Sequence, residues 1–381
     1  MMRGLLLGLV VLLGALATQA APPLEVMHVQ HDPAAFDPTE GETVGIRFHL
    51  SRPAVATVHV YDGRDLEIRS LGSPEPLPVG DASILWDGRD SQGRLVPPEA
   101  YHYTVTARAA DGGAVEYDVT DRTRDEEVTV EQARWDPETK RIRYVLPKPA
   151  RVAVRVGLER GGPLLGTVLD WVPRLAGAHE EPWDGRDASG VLDLTHHPHL
   201  AVGVHAFALP ANAILVGPPP REVRLVRDLP AETPRRVTKR TPPNRVQVPA
   251  QQPIETRGDV SLALAVASEF PKNDDGLPVV SGPVPLRLEV ATSERGKMWD
   301  RRFEAVFYVD GTFVYEVESG FLPLTWRWDP TGMNAGEHYV TVNLRGYEGN
   351  FGAATLRVWV AGPPEAPPTA GGAGGAGGEG R

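Results

Sequence analysis

The sequence predicts an all-β chain built from tandem β-sandwiches. Three observations carry this: an internal repeat of about a hundred residues, apolar side chains alternating with a period of two, and a turn-rich composition. Gly 40 and Pro 37 in 381 residues favour turns and linkers over helices. Cysteine is absent, so no disulfide can brace a domain and packing alone must hold it. The formal net charge of -11 argues against a general nucleic-acid binder.

The chain opens with a basic start, Met1-Met2-Arg3, and an apolar run over residues 4–16. Ala15-Leu16-Ala17 and Thr18-Gln19-Ala20 then fit small-x-small cleavage sites. This order reads as a secretory signal peptide over residues 1–20, cut after Ala20. The run is shorter than the roughly 20 residues a bilayer crossing requires. An uncleaved anchor is the alternative. No later stretch is apolar enough to span a membrane, so the mature chain is expected outside the cytoplasm, periplasmic or secreted.

The repeat then begins. Phe36-Asp37-Pro38 recurs as Trp135-Asp136-Pro137. Ile46 to Ala54 (IRFHLSRPA) recurs as Ile142 to Ala150 (IRYVLPKPA). Trp86-Asp87-Gly88-Arg89-Asp90 recurs as Trp183-Asp184-Gly185-Arg186-Asp187. All three pairs lie about 96–99 residues apart and in the same order, the length of one sandwich. Within the first unit, Ile46, Phe48 and Leu50 alternate with Arg47, His49 and Ser51. Ala56, Val58 and Val60 alternate with Thr57, His59 and Tyr61. In the second, Val152, Val154 and Val156 take the matching inward positions. Such alternation marks half-buried antiparallel strands. The expected units are residues 21–125 and 126–228.

Residues 229–258 combine six prolines with Arg235, Arg236, Lys239, Arg240 and Arg245, and read as an extended, exposed tether. Strand patterns resume over 259–361. Val260, Leu262, Leu264 and Val266 alternate with small residues, and Leu286, Leu288 and Val290 alternate with Arg287 and Glu289. Asp310-Gly311 fits a two-residue hairpin turn. Leu356, Val358 and Val360 would form the last strand. Residues 362–381 are rich in Gly and Ala and read as a disordered tail.

The motif Trp86-Asp87-Gly88-Arg89-Asp90, followed by Gly93, Val96-Pro97 and Tyr101-His102-Tyr103, resembles the immunoglobulin-like domain of the flagellar hook-capping proteins. The likeness covers residues 24–120 well. It is weaker over 126–226, where the paired tyrosines are missing and an insertion lies near Leu164 to His179. The stretch from Val309 through Trp326-Arg327-Trp328 to Val342 resembles a further bacterial immunoglobulin-like repeat. The resemblance implies tandem immunoglobulin-like sandwiches used as spacers or docking modules. It does not imply a hook cap, since those proteins resemble this chain only in the sandwich and leave the cell without a cleaved signal peptide.

Chemistry has few candidates. Each repeated turn holds two carboxylates, Asp87 with Asp90 and Asp184 with Asp187, which suggests calcium. Their spacing is not that of a calcium loop and an arginine lies between them. A structural role is expected, with Asp capping turn amides, Gly taking positive φ and Trp filling the core. His196, His197, His199 and His205 suggest zinc, but Pro198 interrupts the strand, so a solvated loop is expected. No metal, cofactor or catalytic residue is assigned. Trp299, Phe303, Phe307, Tyr308, Tyr315, Phe321, Trp326 and Trp328 raise a carbohydrate-binding face, which requires coplanar exposed rings. The expected function is a non-catalytic envelope scaffold or adhesion-type protein acting through a protein partner. The alternative is a carbohydrate-binding accessory protein of a polysaccharide system.

Overall fold

The computed structural model describes residues 22–72, 74–122, 124, 126–217, 259–291, 302–346 and 350–362. The signal peptide, the linker 229–258, Trp299 and the tail after residue 362 lie outside the described residues. Within them the chain is almost wholly β, with two short 3-10 turns and no α-helix. It is an array of tandem immunoglobulin-like sandwiches, as the alternation predicts.

The first sandwich comprises β1 (Val26–Asp32), β2 (Ala35–Phe36), β3 (Val44–Leu50), β4 (Val55–Tyr61), β5 (Glu67–Gly72), β6 (Gly80–Trp86), β7 (Glu99–Arg108) and β8 (Ala114–Tyr117). One sheet runs β1-β3-β6, and the other is built around β7-β4-β5, with β8 also on β7. Period-two patterning decides which side faces in. Ile46, Phe48 and Leu50 are buried in the shared core while Arg47 between them is exposed.

The second sandwich comprises β9 (Glu131–Asp136), β10 (Arg141–Leu146), β11 (Ala150–Leu158), β12 (Leu164–Arg174), β13 (Gly177–Pro182) and β14 (Leu200–Ala208). Its sheets run β13-β10-β9 and β12-β11-β14. The insertion noted near Leu164 to His179 is the lengthened strand β12, of 11 residues, and its turn into β13.

The next strand, β15 (Ala213–Val216), does not stay with the second repeat. It pairs antiparallel with β7 and parallel with β2, completing the sheet of the first sandwich. Ile214 and Val216 enter that sandwich's core. Asn212, buried just before it, donates its side-chain amide to the Tyr103 carbonyl at 2.5 Å and the Thr120 hydroxyl at 3.0 Å. The two repeats are therefore interlaced, and the split into 21–125 and 126–228 follows the repeats but not the sheets.

The third sandwich comprises β16 (Leu262–Val266), β17 (Val279–Val280), β18 (Val284–Val290), β19 (Phe303–Val309), β20 (Thr312–Gly320), β21 (Leu324–Trp328), β22 (Gly336–Gly346) and β23 (Phe351–Val360). Its sheets run β16-β18-β21 and β17-β23-β22-β19-β20.

The tether reading would leave this unit free, yet it docks on the second sandwich. Arg155 donates to both oxygens of Asp259, at 3.0 and 3.4 Å, and its guanidinium lies 5.2 Å from the Phe351 ring centre. Asp259 also accepts from the Thr167 hydroxyl and from the Phe351 amide. Asn343 pairs with both backbone groups of Leu164, accepting at 2.9 Å and donating at 2.6 Å, as a strand residue would. The Thr355 amide donates to the Ser189 hydroxyl. These contacts are polar and scattered along the chain, so no periodicity announces them.

Candidate functional site

The repeated turn is the most distinctive motif, and its geometry accounts for each of its residues. Trp86 ends β6 with its indole fully buried, packed edge-to-face on Phe36 and Tyr101 with centroids 5.6 and 5.5 Å away. Its Nε1 donates to the Arg89 carbonyl at 3.0 Å, so the one polar atom of the ring closes the turn. Asp87 accepts from the Arg89 amide, and Asp90 accepts from the amides of Gln92 and Arg94 and the Arg94 guanidinium. Gly88 has φ +70, and a Cβ there would lie 2.6 Å from the Pro38 side chain. In the first copy the Phe-Asp-Pro and Trp-Asp-Gly motifs are thus packed on each other, whereas in the second Gly185 faces Thr195. Asp37 in turn accepts from the Thr39 amide and hydroxyl.

The second copy repeats the local bonds. Trp183 Nε1 donates to the Arg186 carbonyl at 3.0 Å, and Asp184 accepts from the Arg186 amide. Asp187, buried, accepts from the amides of Ser189, Val191 and Leu192. Trp135, the counterpart of Phe36, lies 4.7 Å from Trp183. The expectation that both indoles are fully buried holds only for Trp86; Trp183 is half-buried. Each of the four aspartates accepts at least one amide of its own turn, as a structural role requires. Carboxylates already holding amide donors are poorly disposed to gather round a cation.

His196 and His199 are exposed and His197 partly so. The rings of His197 and His199 stand 6.1 Å apart, and His197 Nδ1 accepts the His199 amide. His205 lies exposed on β14, and the structure does not draw these side chains together into a ligand set. No group of three metal-ligating side chains suited to an ion occurs among the described residues.

The aromatic residues of the third sandwich divide. Phe303, Phe307 and Trp328 are core. Trp326 is partly buried, 4.4 Å from Phe307, and stacks on Tyr315 at 5.5 Å with an interplanar angle of 4°. Tyr308 packs edge-on to Phe313. Of these rings only Tyr315 and Trp326 stack face to face, while Tyr315, Phe313 and Phe321 are exposed.

Sequence reasoning missed the buried charges. Arg174 and Glu181 form a forked ion pair at 2.9 and 3.1 Å, with side chains 7 % and 3 % exposed, and Tyr144 donates to the same carboxylate. In the first sandwich Asp65 holds Arg124 in a fork, at 2.7 and 3.1 Å, and lies 3.2 Å from the buried His102 ring, on which Tyr61 stacks. Burial would raise the Asp65 carboxyl, but hydrogen bonds from His102 and Arg124 outweigh it and hold it well below the usual carboxylate range. The alternation gave no signal for them: His102 lies between Tyr101 and Tyr103, whose rings enter the core, so it falls on the opposite face of β7, and Asp65 and Arg124 lie outside the strands. Both clusters are satisfied internally and read as structural.

Against known proteins, residues 34–111 match the model of the FlgD Ig-like domain. No curated protein matches the chain. Among solved structures, FlgD from P. aeruginosa shares 18% identity over 40% of this chain and 93% of its own, with a TM-score of 0.21. A structure of a 1.5-MDa bacterial ice-binding adhesin shares 14% identity over 89% of this chain and 98% of its own, with a TM-score of 0.18. Alpha-2-macroglobulin from Escherichia coli shares 10% identity over 90% of this chain but 24% of its own, with a TM-score of 0.20. These superpositions are too distant to carry function. The family match concerns one stretch of the chain: residues 34–111 are similar to the FlgD Ig-like domain.

Proposed function

We infer that this chain is a non-catalytic scaffold of the bacterial cell envelope, exported by its N-terminal segment and acting through contact with another protein. The observation that carries the reading is the repeated turn. The chain's most distinctive polar motif directs its carboxylates to its own backbone, in a FlgD Ig-like domain and again in the following repeat. Sandwich modules of this kind serve as spacers and docking surfaces. The docked third sandwich adds to this, because ion-paired and cation–π contacts at the junction favour a fixed arm over beads on a string. Two measurements test it together. Fusing residues 1–20 to a reporter active only outside the cytoplasm should give activity. In-cell cross-linking of the full chain should give discrete adducts with one envelope protein. A silent reporter, or capture by purified envelope polysaccharide with no protein adduct, would refute the reading and favour the carbohydrate-binding alternative.

A further inference from the structure

Across the outer face of the sheet β1-β3-β6, one cross-strand row sets two imidazoles beside a carboxylate. Asp81 on β6 stands directly opposite His49 on β3, and His49 Nδ1 lies 2.7 Å from Asp81 Oδ1. An ionised carboxylate only accepts, so Nδ1 carries the proton and Nε2 keeps its lone pair. His28 on β1 completes the row, its ring edge-to-face with His49 and 6.2 Å away between centroids. A bulge puts it there. Met27 pairs with His49 and Gln30 with Arg47, so three steps along β1 match two along β3. His28 takes φ +50 inside that bulge and is exposed. Bulges of this kind re-aim a side chain, often beside a functional site.

An open groove of about 480 Å³ adjoins the row, lined by His28, Gln30, Arg47, Asp81 and Ser83, with room for water. Its one cation, Arg47, is drawn to Asp32 at 3.6 Å, toward the end of β1 remote from His28. The His197–His199 pair has nearly the same ring separation, 6.1 Å, but the opposite tautomer. His197 Nδ1 accepts the His199 amide, which leaves the ring proton on Nε2 and takes that nitrogen out of ligation. Distance therefore does not separate the two pairs. The Asp81 carboxylate does.

We propose that His28 and His49 ligate one divalent transition-metal ion of the zinc, nickel or copper class, with Asp81 as the positioning residue behind His49. Imidazole nitrogen suits these ions. A carboxylate on the far nitrogen is the usual partner of a ligating histidine, because it fixes the tautomer and makes the ligand more basic. Two imidazoles on one ion, each bonded at about 2.0–2.1 Å, set their ring centres about 5–6 Å apart, so a small turn of the exposed His28 ring suffices. Water from the groove fills the remaining positions. The ion clips β1 to β3 across the bulge, where the strand ladder is interrupted, and so fastens the first strand of the first sandwich. The inference goes beyond the scaffold reading and does not depend on it.

The test titrates the full chain, carrying no histidine tag, with Zn2+ by calorimetry and with Cu2+ by electron paramagnetic resonance. A single equivalent of Zn2+ should bind, and the Cu2+ spectrum should show coupling to a pair of nitrogens. Because the ion binds the paired strands and not the unfolded chain, it should also raise the melting transition of the first sandwich. His28→Ala and His49→Ala should each abolish both the binding and that rise. Asp81→Asn should weaken binding about tenfold while leaving the metal-free transition unchanged. The double variant His197→Ala/His199→Ala should bind as the native chain does. His28 is exposed, so its variant should fold, which its metal-free transition would verify. Three results would overturn the proposal: no saturable binding, native affinity in the His28, His49 or Asp81 variant, or binding lost in the His197/His199 variant.

Discussion

The two copies of the Trp-Asp-Gly-Arg-Asp turn have the same hydrogen bonds and different surroundings. In both, the indole Nε1 reaches the carbonyl three residues on at 3.0 Å, and the first aspartate caps the amide two residues on. Trp86 is nonetheless sealed while Trp183 is half-buried. The first sandwich has Tyr101 against its tryptophan and receives β15, whose Ile214 and Val216 thicken the core. The second sandwich lacks the paired tyrosines and has given that strand away. Local sequence therefore sets the turn, and closure of the sandwich sets how much the tryptophan stabilises.

Five measurements can break or sharpen this contrast. The largest effect should be Trp86→Ala, which empties a sealed site and should cost about 3–5 kcal/mol. A domain has only about 5–15 kcal/mol to lose, so the first sandwich should melt far earlier. If its transition stayed put while partner binding vanished, the tryptophan would be a contact and not a core residue.

Ile214→Ala should follow, at about 2–4 kcal/mol. The informative feature is where the loss falls. Although residue 214 follows the second repeat, amide exchange should rise chiefly in β2, β4 and β7 of the first sandwich. Loss confined to β9–β14 would mean that β15 does not close the first sheet in solution.

Trp183→Ala should cost less than Trp86→Ala, about 1–2 kcal/mol, since its ring leaves less apolar area unsatisfied when removed. Equal costs in urea titration would contradict the contrast drawn here. Asp87→Asn keeps an acceptor for the Arg89 amide and should change stability by less than about 0.5 kcal/mol, with or without added calcium. A calcium-dependent rise in melting temperature, abolished by that substitution, would restore the metal reading.

The last effect is one of pH. Because the Asp65 carboxyl is held below its unfolded value, its contribution is complete above about pH 4 and is lost as the pH falls further. The stability difference between the native chain and Asp65→Asn should therefore be level near neutrality and shrink in acid. A difference independent of pH would mean that the fork to Arg124 does not form.

Much of this architecture was legible beforehand. Alternation at Ile46, Phe48 and Leu50, and at Val152, Val154 and Val156, reports burial because a strand has only two faces. The recurrence of Phe36-Asp37-Pro38 and of Trp86-Asp87-Gly88 at one spacing marked the repeat. That the aspartates cap turn amides followed from Asp and Gly turn chemistry, which acts over a few neighbouring residues.

What sequence could not convey was which sheet a strand would join. Ala213–Val216 is a short, wholly apolar run that could belong to any sheet, and its partners β2 and β7 lie over a hundred residues earlier. The dock between second and third sandwiches rests on single polar residues, Arg155, Asp259 and Asn343, whose pairing depends on orientation in space and leaves no period to read. The exposure of Phe313 and Tyr315 likewise depends on the fold, since β20 pairs only with β19 among the described residues. Sequence alone fixed the strands, the turns and the repeat, because these arise from forces acting between near neighbours. Tertiary structure alone decided which strand closed the first sandwich and how deeply each tryptophan sank, because each depends on contacts between residues far apart along the chain.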